Sequence, residues 1–306
     1  MNQTHTPPSK AKAWLSAFRL RTLPLAFSSI FLGSFVAAYQ GVFHWQILLL
    51  ASLTTLCLQV LSNLANDYGD SIHGADSADR TGPQRAVQAG LISAQEMKKG
   101  MIAFAALSFI FGLLLILVAF GANLKLLLIF LGMGVAAIIA AITYTAGVRP
   151  YGYMGLGDLS VFIFFGVVGV MGVFFLYAQQ WQNELLLLAI GVGALSTGVL
   201  NVNNIRDIDS DRKAGKISIP VRIGRSKAVV YHWVLLAVGV LAPVWYMKAN
   251  INHVWQWAFL LVVPLFFKNG IAVSRYQDAK ALDPYLKQLA ISTFLFVILI
   301  GVCLLS

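Results

Sequence analysis

The chain has 306 residues, of which 58% are hydrophobic and 11% charged, with a mean hydropathy of +0.77 and a formal net charge of +10. Soluble globular domains carry about 25% charged residues, and fewer than half of these cannot cover a water-facing surface. The composition excludes a soluble enzyme, a disordered chain and an ordinary nucleic-acid-binding protein, so no nucleic acid is expected as a partner. It points to an all-α, polytopic membrane protein whose outer surface meets membrane lipid.

Residues 1–21 read as a cytoplasmic N-terminal segment and 22–306 as one transmembrane domain. Lys10 to Arg21, with Trp14 and Phe18 between, has the make-up of an amphipathic segment on the inner membrane surface. Nine apolar runs follow: Leu23 to Tyr39, Gln46 to Asn66, Lys99 to Phe120, Leu124 to Thr145, Leu159 to Ala178, Leu185 to Asn204, Ala228 to Met247, Trp255 to Ala272, and Leu289 to Leu305. The first lacks a small-residue cleavage site and reads as a span, not a removed signal. Cys57 and Cys303 lie inside apolar runs and read as small hydrophobes. Trp255 and Trp257 read as interface anchors, and Pro243 and Pro264 as tolerated kinks.

With the N-terminus inside, 20 of the 22 Lys and Arg fall in inside segments, leaving Lys125 and Lys248 outside. That asymmetry sets a cytoplasmic N-terminus and, after nine spans, an outer C-terminus. Most of the basic charge is thereby explained as topology.

The acidic residues carry more information. Seven of the 12 fall in two stretches, Asp67, Asp70, Asp76 and Asp79, then Asp207, Asp209 and Asp211. Each follows the cytoplasmic end of a span, the second and the sixth. Asn66 to Asp70 and Asn203 to Asp207 share one spacing at an offset of 137 residues, which suggests a parallel repeat of helices 1–4 and 5–8 plus a ninth. Asn63, Asp67 and Asp70 lie at i, i+4, i+7, and Asn204, Asp207 and Asp211 at i, i+3, i+7, so each set shares one helix face. Carboxylates gathered there repel one another unless a cation neutralises them. Hard oxygen ligands suit Mg²⁺, which binds a few carboxylates together with phosphate oxygens.

Basic residues interleave the same loops: Arg80 and Arg85, then Arg206, Arg212, Lys213, Lys216 and Arg222. They supply the donors that a metal-bridged diphosphate needs for its remaining oxygens. An allylic diphosphate ionises once its leaving group is neutralised, and a long isoprenoid tail belongs in an apolar bundle.

These motifs resemble the UbiA superfamily of intramembrane prenyltransferases. Within it, Asn63-Leu-Ala-Asn-Asp-Tyr-Gly-Asp70, Arg80-Thr-Gly-Pro-Gln-Arg85, the run from Tyr144 through Arg149-Pro-Tyr151 to Gly155-Leu-Gly-Asp158, and Asn201 to Lys213 resemble the naphthoate-prenylating branch of menaquinone synthesis. The resemblance spans Leu23 to about Leu305. Gly74 stands where the superfamily pattern has a third Asp, and Asp76 is the nearest substitute.

The resemblance implies a bacterial inner-membrane enzyme using polyprenyl diphosphate and 1,4-dihydroxy-2-naphthoate, with loss of carbon dioxide and formation of demethylmenaquinone. It implies Mg²⁺ held by Asp67, Asp70, Asp76, Asp207 and Asp211, with Asn63, Asn66 and Asn204 beside them. Arg80, Arg85 and Lys213 are the implied diphosphate contacts. Tyr144 would lend its ring face to the allylic cation, and Arg149 would pair with the acceptor carboxylate. Alternatives are a sibling with another aromatic acceptor such as 4-hydroxybenzoate and, from another class, a secondary transporter with intramembrane Asp residues.

Overall fold

In hydrocarbon the backbone must satisfy its own polar groups, so a long apolar run that crosses the membrane folds as a helix. The computed structural model describes residues 9–72 and 85–306, and among these 9 helices are long and apolar enough to cross a membrane. A short α1 (Lys10–Phe18) precedes the spans α2 (Leu23–Tyr39), α3 (Trp45–Ile72), α4 (Ala94–Phe120) and α5 (Leu124–Thr143). The fifth span, Gly157–Ala178, is α6 (Gly157–Val161), a π-helical segment (Phe162–Gly172) and α7 (Val173–Ala178). The sixth is α8 (Leu185–Arg206), and short α9 (Ile208–Lys213) and α10 (Ile219–Ile223) link it to α11 (Arg225–Asn250). A 3-10 turn, Val254–Val262, leads into α12 (Val263–Arg275), and α13 (Ala279–Leu305) completes the bundle. The expected all-α bundle of nine spans is what the described residues form.

Several helices run past their apolar windows on the side that carries the acidic motifs. α3 continues to Ile72 rather than stopping near Asn66, and α13 starts at Ala279 rather than near Leu289. Asp278 caps α13 by accepting the Lys280 N–H at 3.1 Å. Ser93 and Glu96 form a reciprocal capping box at the start of α4, at 3.2 and 3.1 Å. These turns are polar, so hydropathy gives no signal there, but backbone hydrogen bonding continues.

α8 occupies the centre, packing on α11, the π-helical segment and α13. Pro243 of α11 fits against Gly191 of α8, where a Cβ would come within 2.3 Å of the proline ring. α5 lies at the edge, on α3 and α4, with no buried residue of its own. The π-helical segment faces α2, and Ser29 donates to the Phe165 carbonyl at 2.5 Å. Such π segments are frequent at functional sites.

α1 does more than rest on a membrane surface. Ala13 and Ala17 are buried in a cluster with Leu61, Leu64, Met97 and Met101 of α3 and α4. Trp14 lies over Gly100, whose missing Cβ would meet the indole at 2.9 Å, and Lys10 pairs with Glu96. The helix ends at Arg19, in the left-handed region at φ 50°.

Candidate active site

α3 continues as a helix through its acidic turn, so Asn63, Asp67 and Asp70 do share one buried face. The second cluster differs. The helix breaks at Asp207 (φ −100°, ψ 11°), and α9 restarts at Ile208. The Asp211 N–H still bonds to the Asp207 carbonyl at 2.8 Å, which keeps the two carboxylates one turn apart. Both are buried, while Asp209 points outward.

Each of these buried carboxylates holds a cation. Arg19 and Arg85 pair with Asp67, the latter at 3.8 Å, and Arg85 also pairs with Asp70. Arg206 grips Asp207 through Nε and Nη2 at 2.8 and 2.7 Å, and its Nη1 reaches Asp283 of α13 at 2.7 Å. Lys216 lies between the two clusters, its Nζ 3.4 Å from Asp70 and 3.5 Å from Asp211. Tyr153 donates its hydroxyl to Asp70, and the Lys216 ammonium sits 4.7 Å from the Tyr153 ring centroid. Burial pushes the Asp211 carboxyl up to about 6; Lys216 opposes the rise, and Asp207 and Asp70 add to it.

A cavity of about 500 Å³ adjoins these helix ends through Asn63, Asn66, Asn203 and Arg206, while Asp67, Asp70, Asp207 and Asp211 stand beside it without lining it. Its polar rim includes Arg19, Asn63, Asn66, Tyr144, Asn203 and Arg206, and its deeper wall includes Ile30, Leu113, Phe165 and Leu176. Phe130 lines the wall too, 5.4 Å from Phe175 and 4.7 Å from Phe120 between ring centroids. Tyr144 stands at the end of α5, edge-on to Tyr151 at 5.3 Å.

The structure thus brings together Asn63, Asn66, Asp67, Asp70, Arg85, Asp207 and Asp211. Asn63 donates to the Phe18 carbonyl at 3.0 Å, and Asn66 accepts from Thr145 at 2.8 Å while its own carbonyl takes Arg85 at 2.6 Å. Asn204 is buried at the end of α8, and Lys213 is exposed at the end of α9. Asp76 and Arg80 lie outside the described residues. Among the described residues no three acidic, histidine or cysteine side chains converge on one point, because arginine and lysine side chains stand between the carboxylates.

Arg149 is exposed and does not line the cavity. The basic residues that do are Arg19, Arg21, Arg206 and Lys287. In sequence, Arg19 and Lys287 show only the inside bias of basic residues, and Tyr153 and Asp283 stand outside the acidic motifs. Arg206 and Lys216 carry a signal, their position among the basic residues of the second acidic motif.

Residues 26–303 match the model of the UbiA prenyltransferase family. The chain belongs to that family. Two relatives, each named 1,4-dihydroxy-2-naphthoate octaprenyltransferase, come from Haemophilus influenzae and Escherichia coli. The first is 46% identical, covering 97% of this chain and 96% of its own length. The second is 45% identical, covering 92% and 91%. Among solved structures, a UbiA homolog from Aeropyrum pernix K1 matches with a TM-score of 0.66 at 19% identity, over 94% of this chain and 96% of that one. A UbiA homolog from Archaeoglobus fulgidus bound to GPP and Mg²⁺ matches with a TM-score of 0.60 at 19% identity, over 95% and 99%. The structural likeness gives this UbiA prenyltransferase its fold; the site described above stands on its own side chains.

Proposed function

We propose that this chain transfers a polyprenyl group from polyprenyl diphosphate to 1,4-dihydroxy-2-naphthoate, with loss of the acceptor carboxyl as carbon dioxide. The product is the quinol form of demethylmenaquinone. The observation that carries the reading is the meeting of two acidic helix ends at the mouth of an apolar cavity. The names of the two bacterial relatives, 46% and 45% identical over nearly the whole chain, support the choice of acceptor.

Mg²⁺ is the proposed cofactor, and the residues fit it. The donors are hard carboxylate and amide oxygens, and the space between Asp70 and Asp211 already stabilises a positive charge, that of Lys216. The A. fulgidus homolog's complex with GPP and Mg²⁺ points the same way. Asp67 and Asp70 with Asn63 or Asn66 would hold one ion, and Asp207 and Asp211 another. When bound, Mg²⁺ supplies Lewis-acid neutralisation of the departing diphosphate.

The chain's own groups do the rest. Arg85, with Arg80 and Lys213 as further candidates, holds the diphosphate oxygens that the metal leaves. The apolar wall takes the prenyl tail and excludes water from the allylic centre. The allylic C–O bond breaks with its electron pair leaving on diphosphate. The ring face of Tyr144, at the cavity rim, stabilises the carbon cation. The acceptor ring carbon then forms the new C–C bond, and loss of its carboxyl as carbon dioxide restores aromaticity. Arg21 and Lys287 on the cavity wall are better placed than Arg149 to meet the acceptor carboxylate. The strong basic bias of one side of the sequence supports a mouth facing the cytoplasm.

The test is a competition. Purified protein in lipid receives labelled polyprenyl diphosphate and equal 1,4-dihydroxy-2-naphthoate and 4-hydroxybenzoate. Prenylated naphthoquinol with carbon dioxide release is expected. Prenylated hydroxybenzoate would overturn the acceptor, and the absence of any prenylated product from folded protein would overturn the reading.

A further inference from the structure

We infer that Lys216 is a tethered counter-cation, which holds the two acidic clusters together without metal and passes to the diphosphate when metal takes its place. The inference rests on the proposed diphosphate chemistry and adds to it a residue with two successive partners. Three observations carry it.

The first is position. Lys216 reaches one carboxylate from each cluster, 3.4 Å from Asp70 on α3 and 3.5 Å from Asp211 on α9. Those two oxygens come from helix ends far apart in sequence, and an ammonium there serves both at once. A divalent ion drawn to either carboxylate answers the same negative charge in the same space, so the two cations compete.

The second is the contrast between a fixed backbone and a free tip. The Lys216 N–H bonds to the Asp211 carbonyl at 2.9 Å, and the next N–H, of Ile217, bonds to the Tyr153 carbonyl at 2.8 Å. Arg222 adds a bond to the Ile217 carbonyl at 3.1 Å. The loop is therefore pinned at both sides of Lys216, whose ammonium swings on four methylenes. It can change partner without moving the chain.

The third is an alternative resting place. The ammonium already lies 4.7 Å from the centroid of Tyr153, an attractive cation–π distance. Tyr153 in turn donates to Asp70. An ammonium released from the carboxylates stays at the mouth, over this ring, where incoming diphosphate oxygens are its natural acceptors.

The signature is a pair of opposite effects. In Lys216→Met, Mg²⁺ alone should bind about tenfold more tightly, because the Lys216 ammonium no longer has to be displaced; tenfold corresponds to about 1.4 kcal/mol. Inorganic pyrophosphate at saturating Mg²⁺ should bind more weakly, because a donor is gone. Lys216→Arg keeps the charge and adds a carboxylate-matching fork, so Mg²⁺ alone should bind no more tightly than to the wild type. Lys227→Gln removes the same charge from an exposed side chain in the first turn of α11, and should change neither binding more than about twofold.

Calorimetric titration of the full chain in lipid nanodiscs reads all four. Unchanged or weaker Mg²⁺ binding in Lys216→Met would overturn the inference, as would tighter Mg²⁺ binding in Lys216→Arg or an equal gain in Lys227→Gln. So would unchanged pyrophosphate binding in Lys216→Met. A wild type that binds neither Mg²⁺ nor Mg²⁺ with pyrophosphate would instead overturn the proposed site itself, and this inference with it.

Discussion

Arg206 Nη1 lies 2.7 Å from Asp283 Oδ1, which ties the end of the sixth span to the first turns of the ninth. The same guanidinium holds both oxygens of Asp207, so the orientation of an acidic-motif carboxylate depends on the last helix of the bundle. Asp283→Asn should lower thermal stability by about 1–2 kcal/mol, less than for a fully buried pair because Asp283 is partly exposed. Turnover should fall with it, while Asp278→Asn, which touches only the α13 cap, should spare turnover. Thermal unfolding in detergent and turnover in lipid check both.

Gly69 sits between Asp67 and Asp70 against the Thr145 carbonyl. A Cβ there would lie 2.3 Å from that oxygen and 2.5 Å from its carbon, and neither atom belongs to a side chain that can swing away. Gly69→Ala should therefore push α3 from the Thr145 turn, costing about 1–3 kcal/mol. It should also reduce turnover more than tenfold, because the flanking aspartates move. Gly132→Ala, where nothing stands within 4 Å, is the matched control and should leave both unchanged.

α1 brings Arg19 to Asp67 by docking Trp14 over Gly100. Trp14→Ala should loosen that contact and raise the KM for polyprenyl diphosphate several-fold with a smaller change in kcat. The exposed Lys10–Glu96 pair contributes little at best, so Lys10→Gln should leave KM unchanged. Steady-state kinetics in lipid separates the two.

Chelation by EDTA should stop prenyl transfer without unfolding the bundle, because its core of Leu32, Leu61, Phe174 and Phe296 is apolar and metal-independent. Readdition of Mg²⁺ should restore turnover. Circular dichroism that collapses with EDTA would show the metal to be structural.

Much of this was legible in the chain, for physical reasons. Hydrocarbon imposes one solution on an apolar run, so the nine spans follow from hydropathy, and the face shared by Asn63, Asp67 and Asp70 follows from helical spacing. Periodicity carried less in the second motif. Asp207 breaks the helix, and its neighbour Arg206 turns back on it, which spacing alone does not foretell. Arg19, Tyr153 and Asp283 were invisible because each enters the site from a distant segment through tertiary packing. Arg149 shows the converse. It stands in a run that resembles the family, yet the turn leaves its side chain exposed and away from the cavity.

The central claim is that the two acidic helix ends act as one unit. The most direct measurement is polyprenyl transfer by Asp70→Asn, Asp211→Asn and the double variant, each confirmed folded and inserted. The account predicts a loss of at least about a hundredfold in each single variant and no further loss in the double, as for groups that work together. Near-normal turnover in either single variant, or losses that multiply in the double, would contradict it.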